Sequence, residues 1–343
     1  MELHILMGRA CAGKSRRVLE QIAARRSERG QVLLVPEHAS HEAELDLCRA
    51  CGPTASRDAE VLSFRSLATR VLSRTGGLAD VTLDAGGKLL TMRRALQEVS
   101  GRLTVFARPS QRPAFLRQLV ALADELYAYQ VRPETLLRQV EDIPGAAGDK
   151  LRSAALVFAA YDARLHGSGF DVRSRVQKLC DALPEDDYLA GKDVYVDGFS
   201  YFNRVEENIL TTVLHQAHSL TVTLLGDMHE VQLFQNAIGQ RYRLERMAKD
   251  NSAYCEVEHL VGTSDTALGH LERHCFGETE VWHGGEAPIR LYQANTAFSE
   301  VEYVSSQLRR LARQGVRWRD MGVAARNMEV YGPLLEAVFR RDQ

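Results

Sequence analysis

The first fifteen residues constrain most tightly what this chain can fold into. Residues 3–7 form a short apolar run that predicts a buried strand, and residues 8–15 follow it directly. They fit the phosphate-binding pattern of glycine, four residues, Gly-Lys-Ser/Thr, in which a glycine-containing turn directs successive backbone N–H groups at one anion. Apolar spacing after residue 15 predicts an amphipathic helix, whose N-terminal end adds positive charge. The pattern predicts a nucleotide site; its alternative is a glycine turn that caps an ordinary helix.

We name residues 8–15 the 8–15 loop. Lys14 is expected to reach the β- and γ-phosphates of ATP, and Ser15 is expected to hold Mg²⁺. The residues predicted to contact the nucleotide are Gly8, Arg9, Ala10, Cys11, Ala12, Gly13, Lys14 and Ser15.

The composition places few limits on function. A chain of 343 residues is long enough for two or three domains. The net charge of −2 does not indicate nucleic-acid binding, but such binding needs only a local basic surface. No apolar run is long enough to span a membrane and no signal peptide precedes the 8–15 loop, so we expect a cytoplasmic protein. Of six cysteines, only Cys48 and Cys51 form a close pair, and free thiols are expected rather than a zinc site.

Strands and helices alternate in two separated parts of the chain. Buried strands are predicted at residues 31–35, 60–64, 193–197 and 220–225, with helices between several of them. Such alternation indicates a parallel sheet with helices on both faces. Between the second and third of these strands lies a stretch of about a hundred residues with helical periodicity and little strand signal. After a less regular stretch, residues 235–285, two further strands are predicted at residues 289–292 and 321–324, each followed by a helix.

An acidic group that could complete a magnesium site follows the strand at residues 193–197. Asp197 ends an apolar strand, and we predict that it shares the Mg²⁺ with Ser15. Helicase-type NTPases place glutamate next, as the base that orients the attacking water. Here the next residue is Gly198, which cannot act as a base. A bound nucleotide is therefore expected to be hydrolysed slowly or not at all.

Other candidate site residues follow the ends of neighbouring strands. Gly226 and Asp227 end a core strand where a motor senses the γ-phosphate, with a plain turn as the alternative. Ser63, Arg65 and Ser66 are placed to hold a phosphate backbone, and Phe64 to stack a base or fill the core. Neither a nucleophile–base set nor the clustered carboxylates of a nuclease centre is evident in the sequence.

The order of these motifs resembles the N-terminal, helicase-like part of the AddB/RexB subunit of bacterial AddAB-type helicase–nucleases, and is similar to superfamily 1 helicases of the UvrD type. Three differences stand out: Cys11 replaces a loop glycine, Gly198 replaces the motor's glutamate, and Glu230 replaces a glutamine. The matching stretches are Gly8-Arg-Ala-Cys-Ala-Gly-Lys-Ser15, Leu34-Val-Pro-Glu37, Leu62-Ser-Phe64, Tyr195-Val-Asp-Gly-Phe199, Glu300-Val-Glu302, Asp320-Met-Gly-Val-Ala-Ala-Arg-Asn327 and Tyr331.

The resemblance implies an α/β fold: a P-loop, RecA-like parallel sheet with a large all-helical insertion and the start of a second RecA-like domain. It assigns residues 1–82 and 190–283 to the ATP-binding domain, residues 83–189 to the helical subdomain, and residues 284–343 to an incomplete second domain. It also implies DNA contacts near Pro36, His38 and residues 63–66, and at Arg326.

The function that the resemblance implies is that of a nucleotide- and DNA-binding subunit with little ATP hydrolysis of its own. Its implied partners are an AddA-type helicase–nuclease subunit and single- and double-stranded DNA ends processed for recombinational repair. An iron–sulfur cluster and a nuclease domain are expected only beyond residue 343. Two alternatives stay open: an active ATP-dependent DNA translocase, and a P-loop phosphotransferase for a small molecule, with the helical insertion as its lid.

Overall fold

The computed structural model describes residues 1–26, 29–76, 78, 83–106, 112–167, 175–262, 265–276 and 280–342. The chain forms two compact units, Met1–Thr263 and Ser264–Gln343. In the described residues, no helix combines the length and the apolar character needed to cross a bilayer.

The first unit contains a six-stranded sheet in which every neighbouring pair of strands is parallel. The strand order across the sheet is β3-β2-β4-β5-β1-β6, so β5 separates the strand before the 8–15 loop from the strand before Asp197. The predicted parallel sheet is therefore confirmed. Its strands are β1 (Glu2–Gly8), β2 (Gln31–Leu34), β3 (Ala59–Leu62), β4 (Asp193–Val196), β5 (Ser219–Leu225) and β6 (Tyr254–Leu260).

Helices make up most of the rest of the described chain. They are α1 (Lys14–Ala24), α2 (Ser40–Cys51), α3 (Phe64–Thr75), α4 (Ala85–Val99), α5 (Pro113–Ala128), α6 (Pro133–Glu141), α7 (Gly145–Gly167), α8 (Arg175–Ala182), α9 (Arg204–Gln216), α10 (Gln235–Asp250), α11 (Ala267–His274), α12 (Ala297–Arg313) and α13 (Met328–Arg341).

Helices cover both faces of the sheet. Side chains of β1 alternate between the two faces, so they show which helices lie on each side. Leu3 and Ile5 pack in one core with residues of α3, α8, α9 and α10. Leu6 packs in the opposite core with Val18 and Ile22 of α1 and with α2. The predicted helical covering of both faces is thus confirmed.

Three of the helices between β3 and β4, namely α4, α5 and α7, have a core of their own. This core contains Met92 of α4, Leu119 of α5 and Phe158 of α7. The last helix before β4 behaves differently: α8 packs against α3, and its Leu179 lies in the core of the sheet. Residue 82, where the sequence places one boundary of the helical subdomain, lies outside the described residues, so that boundary stays a prediction.

Two parts of the fold differ from the sequence interpretation. The stretch 235–285, which we expected to be irregular, contains α10, β6 and α11. The strands predicted at residues 289–292 and 321–324 are wrong, because neither segment pairs with another strand. A strand needs partners for its backbone N–H and C=O groups, and no paired strand occurs among the described residues after Leu260. Leu291, in the first of these two segments, is fully exposed.

Candidate functional site

The candidate site lies along the edge of the sheet where the parallel strands end. β1 leads into the 8–15 loop, β4 into Asp197, and β5 into Gly226. The registers place Gly8 opposite Leu225 at the end of β5, whereas Val196 is opposite Val222, three residues before that end. Carboxyl ends of parallel strands are where open α/β sheets bind ligands.

The 8–15 loop has the backbone of an anion-binding turn. Cys11 and Gly13 both have positive φ, 58° and 90°. Among the described side chains none caps α1 at Gly13, and the first turn of α1 carries no acidic residue. The start of α1 therefore presents backbone N–H groups and the positive end of the helix dipole without a side-chain carboxylate of its own, a setting that favours a bound anion.

Lys14 lies across the beginning of this loop. Its Nζ donates hydrogen bonds to the carbonyl oxygens of Gly8 at 2.8 Å and of Arg9 at 2.7 Å. The ammonium group is therefore held at the first two residues of the loop.

Gly8 brings the loop unusually close to β6. A β-carbon added at Gly8 would lie 2.6 Å from the carbonyl oxygen of Leu260 and 3.0 Å from Cβ of Ala12. Because the nearest atom belongs to the backbone of a paired strand, only glycine fits here without a backbone shift.

A partly buried ion pair joins the loop to the end of β5. Arg9 Nε lies 2.7 Å from Asp227 Oδ2, and the two side chains are only 15 % and 22 % exposed. Asp227 Oδ1 accepts a hydrogen bond of 2.8 Å from the amide of His229, and the Arg9 guanidinium lies over the ring of Phe234. Burial pushes the pKa of Asp227 upward, but the His229 amide and Arg9 outweigh it, so this pKa lies below its ordinary value.

The backbone makes the same connection. The amide of Gly226 donates a hydrogen bond of 3.1 Å to the carbonyl oxygen of Gly8, which also accepts from Lys14. Gly226 and Asp227, predicted as coupling residues, therefore contact the 8–15 loop directly, and a coupling role for them stays a prediction.

Asp197 is held from the neighbouring strand. Thr223 on β5 donates a hydrogen bond of 2.6 Å from its hydroxyl to Asp197 Oδ1, and the amide of Asp197 donates to the carbonyl oxygen of Leu34 at 2.9 Å. Gly198 follows with φ of 80°, a left-handed conformation that side chains other than those of asparagine and aspartate rarely adopt. The position that holds glutamate in a motor is thus a turn that favours glycine.

Ser15 lies in α1, and Asp197 directly follows β4. The described residues include no hydrogen bond between them. β5 lies between β1, which leads into the loop before Ser15, and β4, which ends next to Asp197, so these two strands are roughly 10 Å apart at the usual strand spacing. A magnesium ion shared by the two residues therefore stays a prediction. The described part of the chain also contains no group of three His, Cys, Asp or Glu side chains suited to hold a metal ion.

The predicted DNA-contact residues around β3 form a hydrogen-bonded group. Ser63 caps α3 by accepting from the amide of Ser66 at 3.1 Å, and its hydroxyl donates to Glu37 Oε2 at 2.8 Å. Ser63 is 3 % exposed, so its hydroxyl serves the cap and Glu37. Ser66 and Arg65 are exposed at the same edge.

Phe64 fills the core, the alternative that the sequence left open. It is 5 % exposed, and its ring packs edge-to-face against Phe199 with 5.3 Å between centroids. Phe199 in turn contacts the buried ring of Phe202. The exposed aromatic residue of this segment is Tyr201, at 66 % exposure.

The remaining predicted contacts lie in different places. His38 is exposed in the short turn after β2. Pro36 packs next to Gly198, because a β-carbon added at Gly198 would lie 3.5 Å from Pro36 Cδ. Arg326 is exposed in the second unit.

Sequence reasoning missed three of these features: the hydroxyl of Thr223, the carboxylate of Glu37, and the pairing of Arg9 with Asp227. Thr223 carried a signal, because it is a polar residue inside an apolar strand, 3 % exposed in the fold. Arg9 and Asp227 are 218 positions apart, so periodicity gives no sign that they meet.

Comparisons with a family model and with individual proteins indicate the same family. A family model described as "ADDB, N-terminal" matches residues 5–272. The chain is 34 % identical to the B subunit of the ATP-dependent helicase/deoxyribonuclease of Moorella thermoacetica, over 99 % of this chain and 32 % of that protein. Proteins of the same name from Desulforudis audaxviator and Geobacillus thermodenitrificans are 33 % and 29 % identical, each over 99 % of this chain and 31 % of the relative. The chain thus spans about a third of the length of these relatives.

Proposed function

The chain belongs to the ADDB N-terminal family, and from that premise we propose that it is the nucleotide- and DNA-binding, helicase-like part of an AddB-type subunit. That subunit works with an AddA-type helicase–nuclease on double-strand DNA ends for recombinational repair. The chain itself hydrolyses little or no ATP. Its relatives are named as the B subunit of an ATP-dependent helicase/deoxyribonuclease, a name that supports a partner subunit and a DNA substrate.

The observation that carries the nucleotide part is the position of Lys14 over an uncapped, positive-φ loop at the start of α1. These residues fit a Mg²⁺-bound nucleotide. Backbone N–H groups of the 8–15 loop and Lys14 would hold its phosphates, and Ser15 and Asp197 would hold the metal. The affinity for such a nucleotide would come mainly from attraction between its negatively charged phosphates and these groups.

The observation that argues against rapid hydrolysis is the turn at Gly198. Glycine at φ of 80° follows Asp197 directly, so the place next to this carboxylate carries no general base. Glu206, the nearest following glutamate, is committed elsewhere: its carboxylate accepts from the amide of Asn203 at 2.9 Å in the cap of α9. These two facts favour a binding subunit over an active translocase.

The DNA part of the proposal rests on the exposed groups at the ends of β2, β3 and β4. Arg65, Ser66 and His38 supply donors for phosphate oxygens, and Tyr201 supplies an exposed ring for base stacking. Glu37 lies among them and would repel a phosphate close to Ser63, which makes the exposed side chains the expected contacts.

The proposal is tested by titrating one preparation of residues 1–343 with ATPγS and then with a single-stranded oligonucleotide in a calorimeter. We expect both to bind. Lys14→Ala should weaken nucleotide binding by about tenfold or more, because it removes a charge-assisted phosphate contact. Oligonucleotide affinity should fall with salt by a log–log slope of about −0.7 for each phosphate neutralised.

Two variants separate the DNA surface from the fold. Arg65→Ala should lower oligonucleotide affinity and the salt slope, while Arg49→Ala, which removes an arginine of the exposed Arg49–Asp46 pair on α2, should change neither. Failure of a folded wild-type sample to bind either ligand would refute the proposal. DNA-stimulated hydrolysis abolished by Asp197→Asn would instead identify an active translocase, and nucleotide binding with a small-molecule phosphate acceptor but no DNA would identify a phosphotransferase.

A further inference from the structure

We infer that the Arg9–Asp227 ion pair sets how strongly the 8–15 loop prefers a nucleoside triphosphate over a diphosphate. Arg9 favours the additional phosphate, and Asp227 opposes it. This inference rests on the proposed nucleotide site and goes beyond it, because it names the residues that decide which nucleotide is held.

The first step concerns where the outermost phosphate charge would act. In this motif the lysine serves the β- and γ-phosphates. Lys14 Nζ lies 2.7 Å from the carbonyl oxygen of Arg9 and 2.8 Å from that of Gly8. The group that serves the outer phosphates is therefore held at residues 8 and 9 rather than farther along the loop.

The second step concerns the two fixed charges at the same place. Arg9 Nε lies 2.7 Å from Asp227 Oδ2, and both side chains are largely buried. The His229 amide fixes the other carboxylate oxygen at 2.8 Å, and the ring of Phe234 lies beneath the guanidinium. The pair is thus anchored on both sides, and its partial burial protects it from much of the screening by salt.

The third step is the difference between the two nucleotides. A triphosphate carries one more phosphate group than a diphosphate, and the added negative charge is attracted by Arg9 and repelled by Asp227. A carboxylate hydrogen-bonded to Arg9 also holds that guanidinium in place and offsets its charge. Asp227 therefore restrains the preference for triphosphate that Arg9 would otherwise give the loop.

The backbone also connects the pair to the 8–15 loop and to α10. Gly226, directly before Asp227, donates to the carbonyl oxygen of Gly8, which is also an acceptor for Lys14. Phe234 directly precedes α10. The pair therefore joins the 8–15 loop to the segment between β5 and α10.

The test compares Asp227→Asn, Arg9→Met and Asp46→Asn with the wild type in residues 1–343, by calorimetric titration with ATPγS and with ADP in Mg²⁺ buffer. Asparagine keeps the shape of Asp227 and an acceptor for the His229 amide. Methionine keeps an unbranched chain against Phe234. Asp46 belongs to an exposed pair with Arg49 on α2 and serves as the control.

We expect Asp227→Asn to raise the ratio of ATPγS to ADP affinity by about fivefold or more, a usual size for coupling between charged groups. Arg9→Met should lower the ratio, and Asp46→Asn should leave it unchanged. If Arg9→Met does not fold, Arg9→Gln provides the same loss of charge with a polar end. Increasing salt should reduce the effect of Asp227→Asn only weakly.

Two outcomes overturn the inference, and they are distinguishable. If the wild type binds both nucleotides but Asp227→Asn and Arg9→Met leave the affinity ratio unchanged, the selectivity role is wrong while the nucleotide site stands. If the folded wild type binds neither nucleotide, the nucleotide site itself is refuted and the selectivity role with it.

Discussion

The hydroxyl of Thr223 donates a hydrogen bond of 2.6 Å to Asp197 Oδ1, and the amide of Gly198 lies 3.4 Å from the same hydroxyl. One side chain of β5 therefore holds both the carboxylate at the end of β4 and the turn that follows it. The left-handed backbone of Gly198 is part of this arrangement, and it bears on whether a missing catalytic glutamate could be restored.

We predict that Gly198→Glu does not create an ATPase. Left-handed backbone costs a residue with a β-carbon roughly 1–2 kcal/mol, so the variant should lose about that much free energy of unfolding. Gly198→Asn should lose less, because asparagine tolerates this conformation. The measurements are urea unfolding and phosphate release with and without DNA. A DNA-stimulated gain of hydrolysis in Gly198→Glu would contradict the prediction.

Gly8→Ala should destabilise the first unit by about 1–3 kcal/mol, the usual cost of an overpacked site. The added β-carbon would lie 2.6 Å from the carbonyl oxygen of Leu260, so β1 and β6 would have to separate locally. Gly101→Ala is the matched control, since an added β-carbon there meets no atom within 4 Å, and it should change stability by less than about 0.5 kcal/mol. Equal midpoints of chemical unfolding for the two variants would contradict the prediction, because they would show that β6 moves to accept the β-carbon without loss of stability.

Cys11→Gly should raise stability by roughly 0.5–1 kcal/mol. Cys11 has φ of 58°, and relief of that strain exceeds the entropy that glycine adds to the unfolded chain. Cys11→Val should act in the opposite direction, because a β-branched side chain is least compatible with positive φ. Thermal unfolding of the wild type and the two variants checks this order of stability. A valine variant at least as stable as the wild type would show that the backbone at Cys11 is not strained.

Acid should weaken the contribution of Asp227 to folding. Its pKa in the folded protein is lowered, so the stability it adds is fully present above its unfolded pKa, about 3.9, and is lost as the pH falls through the folded value. The difference in free energy of unfolding between wild type and Asp227→Asn should therefore be constant near neutral pH and shrink below about pH 4. A difference that stays constant down to pH 3 would mean that the ion pair contributes nothing to folding.

Local patterns in the sequence were enough to predict every strand of the sheet except β6. β1 and β5 are apolar runs, and the glycine pattern after β1 fixes the start of α1. β6 was missed because it lies at the edge of the sheet, where Glu256 and Glu258 replace the apolar residues of a central strand. The strands predicted after residue 284 were wrong for the complementary reason: apolar residues favour a strand but cannot supply its partner.

The candidate site was predicted as a set of segments, and its contacts were not. The 8–15 loop, Asp197 and Gly226 were recognised because each follows an apolar strand. Whether Phe64 faced solvent or the core depended on Phe199, 135 positions later, which packs on its ring. Contacts of this kind depend on tertiary structure and leave no local periodic signal.

The strand that carries the 8–15 loop also has a consequence for synthesis of the protein. β1 is the first of the six strands to be made, yet within the described chain it pairs only with β5 and β6, whose residues begin at Ser219 and end at Leu260. At translation rates of about 5–20 residues per second, β1 waits roughly 10–50 s for both neighbours. During that interval the helices with a core of their own can already pack, whereas an apolar strand of the future sheet stays available to chaperones and to other nascent chains.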